Sequence, residues 1–176
     1  MMRTLRTLVM SVALCASWAS AAAETQDPSL ELKRVNLVVA DLDRALTIYR
    51  DVLGFSVFGI SESSSTSYSY PVFNFPARAK LRFATLSTRL QPRSLALTEV
   101  RGVRLPRRPT MHLSTPVIRV GQLEAILERL RPMGVKIIAP QTSTTPENLP
   151  FIEAAFVDFD GNLIVIYQLD VSQKQP

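Results

Sequence analysis

The feature that most limits what this chain can fold into is an internal duplication. Residues 34–39 alternate and are β-branched, which predicts a strand. Asp41 can cap a helix, Leu42, Ala45, Leu46, Tyr49 and Leu53 follow at helical spacing, and Gly54 ends it. Strands are predicted over 55–60, 80–86 and 94–100. The same order then recurs: a strand over 115–120, a helix over 122–133 with Leu123, Ile126, Leu127 and Leu130 on one face, a stop at Gly134, and strands over 135–139, 151–157 and 163–169. The last two strands are joined by Asp158, Phe159, Asp160, Gly161 and Asn162, a tight turn. A strand–helix–Gly–strand order followed each time by two further strands predicts duplication. The expected fold class is α+β, two tandem βαβββ modules (32–100 and 111–169) in a single domain spanning 32–170.

The ends are expected to be separate from that domain. Arg3 and Arg6 precede an apolar stretch over 8–18, and small residues at 19–23 follow at cleavage spacing, the order of a Sec-type signal peptide over 1–23. The apolar stretch is shorter than the ~20 residues of a membrane span. Leu14 before Cys15 argues against a lipoprotein signal. A polar linker (24–31) and a short tail (171–176) flank the domain. Cleavage lowers Lys and Arg from 20 to 18 against 15 acids, a net charge of about +3. That is too small to argue for a nucleic-acid or membrane partner. Cys15 is the only cysteine, so the mature chain has no disulfide and no thiol nucleophile. The expected location is periplasmic or secreted.

Two stretches interrupt the scheme. Residues 62–79 are rich in Ser and Tyr, and either a packed lid or an added edge strand fits them. Residues 100–110 carry Arg101, Arg104, Arg107 and Arg108 and are expected to form a solvated basic linker between modules.

The chain resembles the vicinal oxygen chelate superfamily of glyoxalases, ring-cleaving dioxygenases and bleomycin-resistance proteins. The resemblance rests on residues 39–45 (VADLDRA), 49–55 (YRDVLGF) and 158–162 (DFDGN). It implies that each module curls into a half-barrel, and that the pair surrounds a divalent metal held by His and Glu from four strands. At those four positions this chain has Arg34, Ala96, Thr115 and Val165. Arginine has no lone pair to give, and Ala and Val have no donor atom. The one histidine, His112, falls three residues from the expected place, and Glu99 is likewise at odd offset from Ala96. The expectation is therefore no metal and no cofactor.

Period-two alternation turns Arg34, Asn36 and Val38, Ala96 and Thr98, Thr115, Val117 and Arg119, and Leu163, Val165 and Tyr167 toward the cavity. Arg34, Asn36, Thr98, Thr115, Arg119 and Tyr167 are the candidate ligand-binding residues. Arg34 either pairs with an anionic group of a ligand or is a rim charge paired with Glu99. Glu153 and Asp158 are expected to be solvated or turn-forming. The first functional expectation is metal-independent binding of a small organic molecule, anionic or aromatic, between the modules. The alternative is a lyase or isomerase with relocated groups, for which His112, Glu99 and Tyr167 are the candidate acid–base residues. A third is an interaction module that pairs two copies through sheet edges.

Overall fold

The structure, a computed structural model, describes residues 31–106 and 110–170. The expected signal segment, most of the 24–31 linker, Arg107, Arg108 and the 171–176 tail lie outside them. All described secondary structure falls in one compact unit that begins at Lys33. Its elements are β1 (Val35–Val39), α1 (Leu42–Leu46), a π-helical turn (Thr47–Val52), β2 (Ser56–Glu62), α2 (Ser69–Phe73), β3 (Lys80–Ser87) and β4 (Leu95–Arg101). The second half adds β5 (Val117–Arg119), α3 (Leu123–Leu130), a 3-10 turn (Arg131–Met133), β6 (Lys136–Thr144), β7 (Pro150–Val157) and β8 (Leu163–Leu169).

The duplication holds at the level of strand order. One sheet runs β1-β4-β3-β2 and the other β5-β8-β7-β6. In each, the first strand is parallel to the last and the remaining pairs are antiparallel. Even the irregularities repeat: the second strand of each module slips register, between Val57 and Gly59 in one and between Ile138 and Gln141 in the other.

Local chemistry accounts for the helices. Asp41 caps α1 by accepting from the Arg44 amide at 3.0 Å. Gly54 (φ 84°) and Gly134 (φ 72°) supply the left-handed stops. The predicted helix continues past Leu46 as a wider turn, in which the Leu53 amide reaches back five residues to the Ile48 carbonyl at 2.9 Å. Strand boundaries move by a residue or two, most at β5, which keeps only three of the six predicted residues, and at β6, which runs on to Thr144.

One hydrophobic core joins both modules. Leu37, Val39, Leu95 and Leu97 meet Leu42, Leu46, Ile48 and Tyr49, and the same cluster continues through Leu123, Leu127, Leu130, Phe156, Ile164 and Ile166. Each fully buried Leu, Ile or Phe contributes about 1.5–3 kcal/mol. A smaller cluster forms on the opposite face of the first sheet, where Ala79, Leu81 and Val100 pack with Val38, Tyr70, Phe75, Val103 and Leu105. Tyr70 donates to the Ala79 carbonyl at 2.8 Å, and Phe73 stacks on Phe75 with centroids 5.3 Å apart. Of the two readings open for residues 62–79, the packed cover is the one observed; α2, not a strand, occupies it.

Candidate functional site

The faces that point away from the helices carry the residues of interest. Asn36 pairs with Ala96, and Val117 with Val165. Arg34 and Thr115 each lie two residues before those first-strand partners, so the four ancestral ligand positions fall at equivalent register in the two modules. Their chemistry does not fit a hard cation, which needs carboxylate or imidazole donors at about 2.0–2.6 Å. The Thr115 hydroxyl is already committed to the Leu163 carbonyl at 2.8 Å. Among the described residues no group of three or more His, Cys, Asp or Glu side chains converges, and no buried side-chain nitrogen or oxygen lacks a partner.

The two faces differ in how they are covered. In the first module Ala96 and Thr98 are fully buried and Leu81 and Val100 nearly so, and Tyr70, Phe75, Val103 and Leu105 pack in the cluster of Leu81 and Val100. Thr98 donates to Asn36 Oδ1 at 3.0 Å. In the second module the corresponding face stays partly open. There Arg119 pairs in register with Tyr167, Tyr167 with Glu153, and Glu153 with Gln141. Gln141 donates to Glu153 at 2.7 Å, and Phe151 meets Tyr167 edge-on at 6.3 Å. Glu153 is thus a strand residue with a partner, not a solvated turn residue.

The six candidate ligand residues therefore do not surround one cavity, because the modules share a core on their helix sides instead of closing two open faces on each other. Asn36 and Thr115, with His112, line a cleft of about 420 Å³ between β1, the inter-module loop and the start of β8. Its walls include Val38, Leu105, Leu113 and Leu163, and among the described residues its one acid is Asp160. Arg119 lines a separate cleft of about 400 Å³, with Arg89 and Arg129, which the sequence did not single out. Thr98 lies beneath Asn36. Arg34 is half-buried and lines neither cleft. Tyr167 is on the open second face.

One expectation about acids needs correction. Glu99 is neither a partner of Arg34 nor placed for acid–base chemistry. It is 3% exposed on the helix side of β4, where it accepts from the Leu42 amide at 2.9 Å, from Arg82 at 2.9 and 3.1 Å, and pairs with Arg101 at 3.2 Å. A buried carboxylate needs such partners to remain charged. Arg82 also donates to Asp43 at 2.8 Å, and these two acids hold its guanidinium well above its ordinary pKa. Asp158 forms the expected turn but is 2% exposed, accepting from the amides of Asp160 and Asn162 at 2.9 and 2.8 Å.

A family model for the Glyoxalase/Bleomycin resistance protein/Dioxygenase superfamily matches residues 31–166. Among solved structures, a glyoxalase family protein from Bacillus cereus superposes with a TM-score of 0.63 at 18% identity, covering 84% of this chain and 99% of that one. A glyoxylase/bleomycin resistance protein/dioxygenase domain from Frankia gives 0.56 at 18%, over 80% and 92%. The fosfomycin resistance protein FosX of Listeria monocytogenes, solved with Mn(II) and 1S,2S-dihydroxypropylphosphonic acid, gives 0.52 at 16%, over 83% and 98%. No curated protein matches the chain in sequence. At these identities the structural likeness concerns the fold, and the family match covers most of the chain. The chain belongs to the glyoxalase/bleomycin resistance protein/dioxygenase superfamily.

Proposed function

We propose that this protein binds a small organic molecule without a metal, outside the cytoplasm, in the cleft between β1, the inter-module loop and β8. The observation that carries this reading is the meeting of Asn36, His112 and Thr115 among the apolar side chains of Val38, Leu105, Leu113 and Leu163. Because Thr98 occupies the Asn36 carbonyl oxygen, the amide NH₂ of Asn36 is the group left to donate to a ligand. A concave site of this size with few polar groups suits a neutral or aromatic molecule. Among the described residues the lining has no Lys or Arg, and its apolar walls carry the preference for a neutral or aromatic ligand.

The test is a melting-temperature screen of the mature protein against small aromatic compounds, repeated on Asn36→Leu and Leu163→Trp. A compound that stabilises the native protein but neither variant supports the site. A hit that stabilises all three equally sinks it. The extracytoplasmic part rests on the charged, apolar and small-residue order of residues 1–23. Osmotic-shock fractionation with N-terminal sequencing checks it, and a cytoplasmic chain retaining Met1 rejects it.

A second reading, a lyase or isomerase in the same cleft, is favoured by one observation: the chain's only histidine lines it. In that case His112→Ala abolishes turnover of a bound compound while its binding persists.

A further inference from the structure

The duplication places the β-hairpin turn of each module beside the helix of the other, and the two junctions are built differently. At one, Tyr49 donates to Asp158 at 2.7 Å, and Arg44 stands 4.0 Å over the Phe159 ring. Leu86 and Phe156 hold equivalent places, paired with Leu95 and Ile164, so the counterpart of Asp158 is Thr88. Counting from the helix starts Leu42 and Leu123, the counterpart of Tyr49 is Leu130, which is buried in the core. Among the described residues the second junction therefore has no side-chain bond like that of Tyr49 with Asp158, and the cleft of about 400 Å³ opens there.

Its lining is cationic. Arg89 comes from the β3–β4 turn, Arg119 from β5 and Arg129 from α3, and among the described residues no Asp or Glu lines the cleft. Among the described residues neither Arg89 nor Arg119 has an acidic partner. Arg129 is positioned by the carbonyls of Asp51 and Val52, and the nearby Glu124 is turned to Arg131 at 2.7 Å. Asp51, next to Val52 in sequence, is paired with Arg50 at 2.6 Å and also lies within electrostatic reach of Arg129, so Arg89 and Arg119 are the cations the cleft leaves for a ligand. Val52, Phe55, Ile118 and Ala125 form the apolar part of the wall. Like charges gathered in a concave site raise the local potential and favour an anion there.

We propose that this cleft is a binding site for a small anion bearing an apolar group, of the phosphate-monoester or carboxylate class. Arg89 and Arg119 supply charge-assisted hydrogen bonds to the anionic head. The apolar tail lies against Ile118 and Ala125. This site is separate from the cleft that contains Asn36 and His112, and it stands or falls independently of it.

The experiment is calorimetric titration of the mature protein with phenyl phosphate, inorganic phosphate and phenol. Phenyl phosphate is expected to bind saturably, more tightly than either part alone, and less tightly as NaCl is raised. Arg89→Ala and Arg119→Ala should each weaken it about tenfold. Ala125→Glu, which adds an acid on an exposed helix position, should do the same without removing a native contact. Melting curves confirm that each variant is folded. Absence of saturable phenyl phosphate binding, or unchanged affinity in the Arg89→Ala/Arg119→Ala double variant, overturns the proposal.

Discussion

Tyr49 and Asp158 lie 109 residues apart in the chain, and their side chains join the two modules by a buried 2.7 Å hydrogen bond. Asp158 also accepts from Asn162 Nδ2 at 2.9 Å and from two backbone amides, while that same Asn162 amide reaches the Val38 carbonyl at 3.2 Å. Among the described residues the carboxylate is thus held by hydrogen bonds and has no ion pair. Tyr49→Phe removes one of these donors and should cost about 1–2 kcal/mol, whereas Asp158→Ala strands several and should cost more. Urea denaturation of both variants measures this. Equal stability of Tyr49→Phe and the native protein would show that the bond contributes nothing.

The same pair sets an alkaline limit. Burial first, and then the Asp158 charge, pushes the Tyr49 phenol well above its ordinary pKa. A pKa higher in the folded than in the unfolded chain means that the full stabilisation is present below the unfolded value of about 10 and is lost as pH rises beyond it. Stability followed by denaturant midpoint should therefore fall above about pH 10, and less steeply in Tyr49→Phe. Parallel curves for the two proteins would remove Tyr49 as the cause.

Glu99 behaves as a cap and not as a catalyst. Its carboxylate satisfies the first amide of α1 and holds Arg82, which in turn holds Asp43. Glu99→Ala should lower stability by about 3 kcal/mol, since it leaves a helix amide without its acceptor and a partly buried guanidinium with Asp43 alone. Glu99→Gln should cost less, because its oxygen still accepts from Leu42. Neither change should affect a ligand bound near Asn36. Loss of binding in a Glu99→Gln protein of normal stability would return Glu99 to the functional site.

Most of the fold was legible because its signals are local and periodic. Asp41 as a cap, Gly54 and Gly134 as stops, and the Leu42 and Leu123 helix stripes each speak through neighbours a few residues away. The junctions were not legible in that way. Asp158 reads as a turn acid, and its burial becomes visible only when Tyr49 arrives from the other module. Glu99 was correctly placed off the cavity face by its odd offset from Ala96, but alternation cannot say that Arg82 and the Leu42 amide await it there. The candidate ligand residues were placed on plausible faces, yet alternation does not fix how two sheets meet. That is why Asn36 and Arg119 end in different clefts. Arg89 and Arg129 carried no sequence signal by themselves; aligning the two turns and the two helices of the repeat is the step that could have flagged them.

The metal expectation is the one most open to a decisive measurement. Arg34 and Thr115 stand two residues before the strand partners of Ala96 and Val165, so a slip in alignment would have to occur twice, in the same direction, to hide a ligand set. His112 is in the loop before β5, and Glu99 is committed on the opposite face. Elemental analysis of the purified protein should therefore find no stoichiometric metal. Added Zn²⁺, Ni²⁺, Mn²⁺ or Fe²⁺ should leave Tm unchanged. A metal at a hundredfold excess over its Kd would add about 2.7 kcal/mol, several degrees of Tm for a domain of this size. A shift of that order, lost in His112→Ala, would mean that the inter-module loop swings His112 onto the sheet face, and metal-assisted chemistry would replace simple binding as the reading of this cleft.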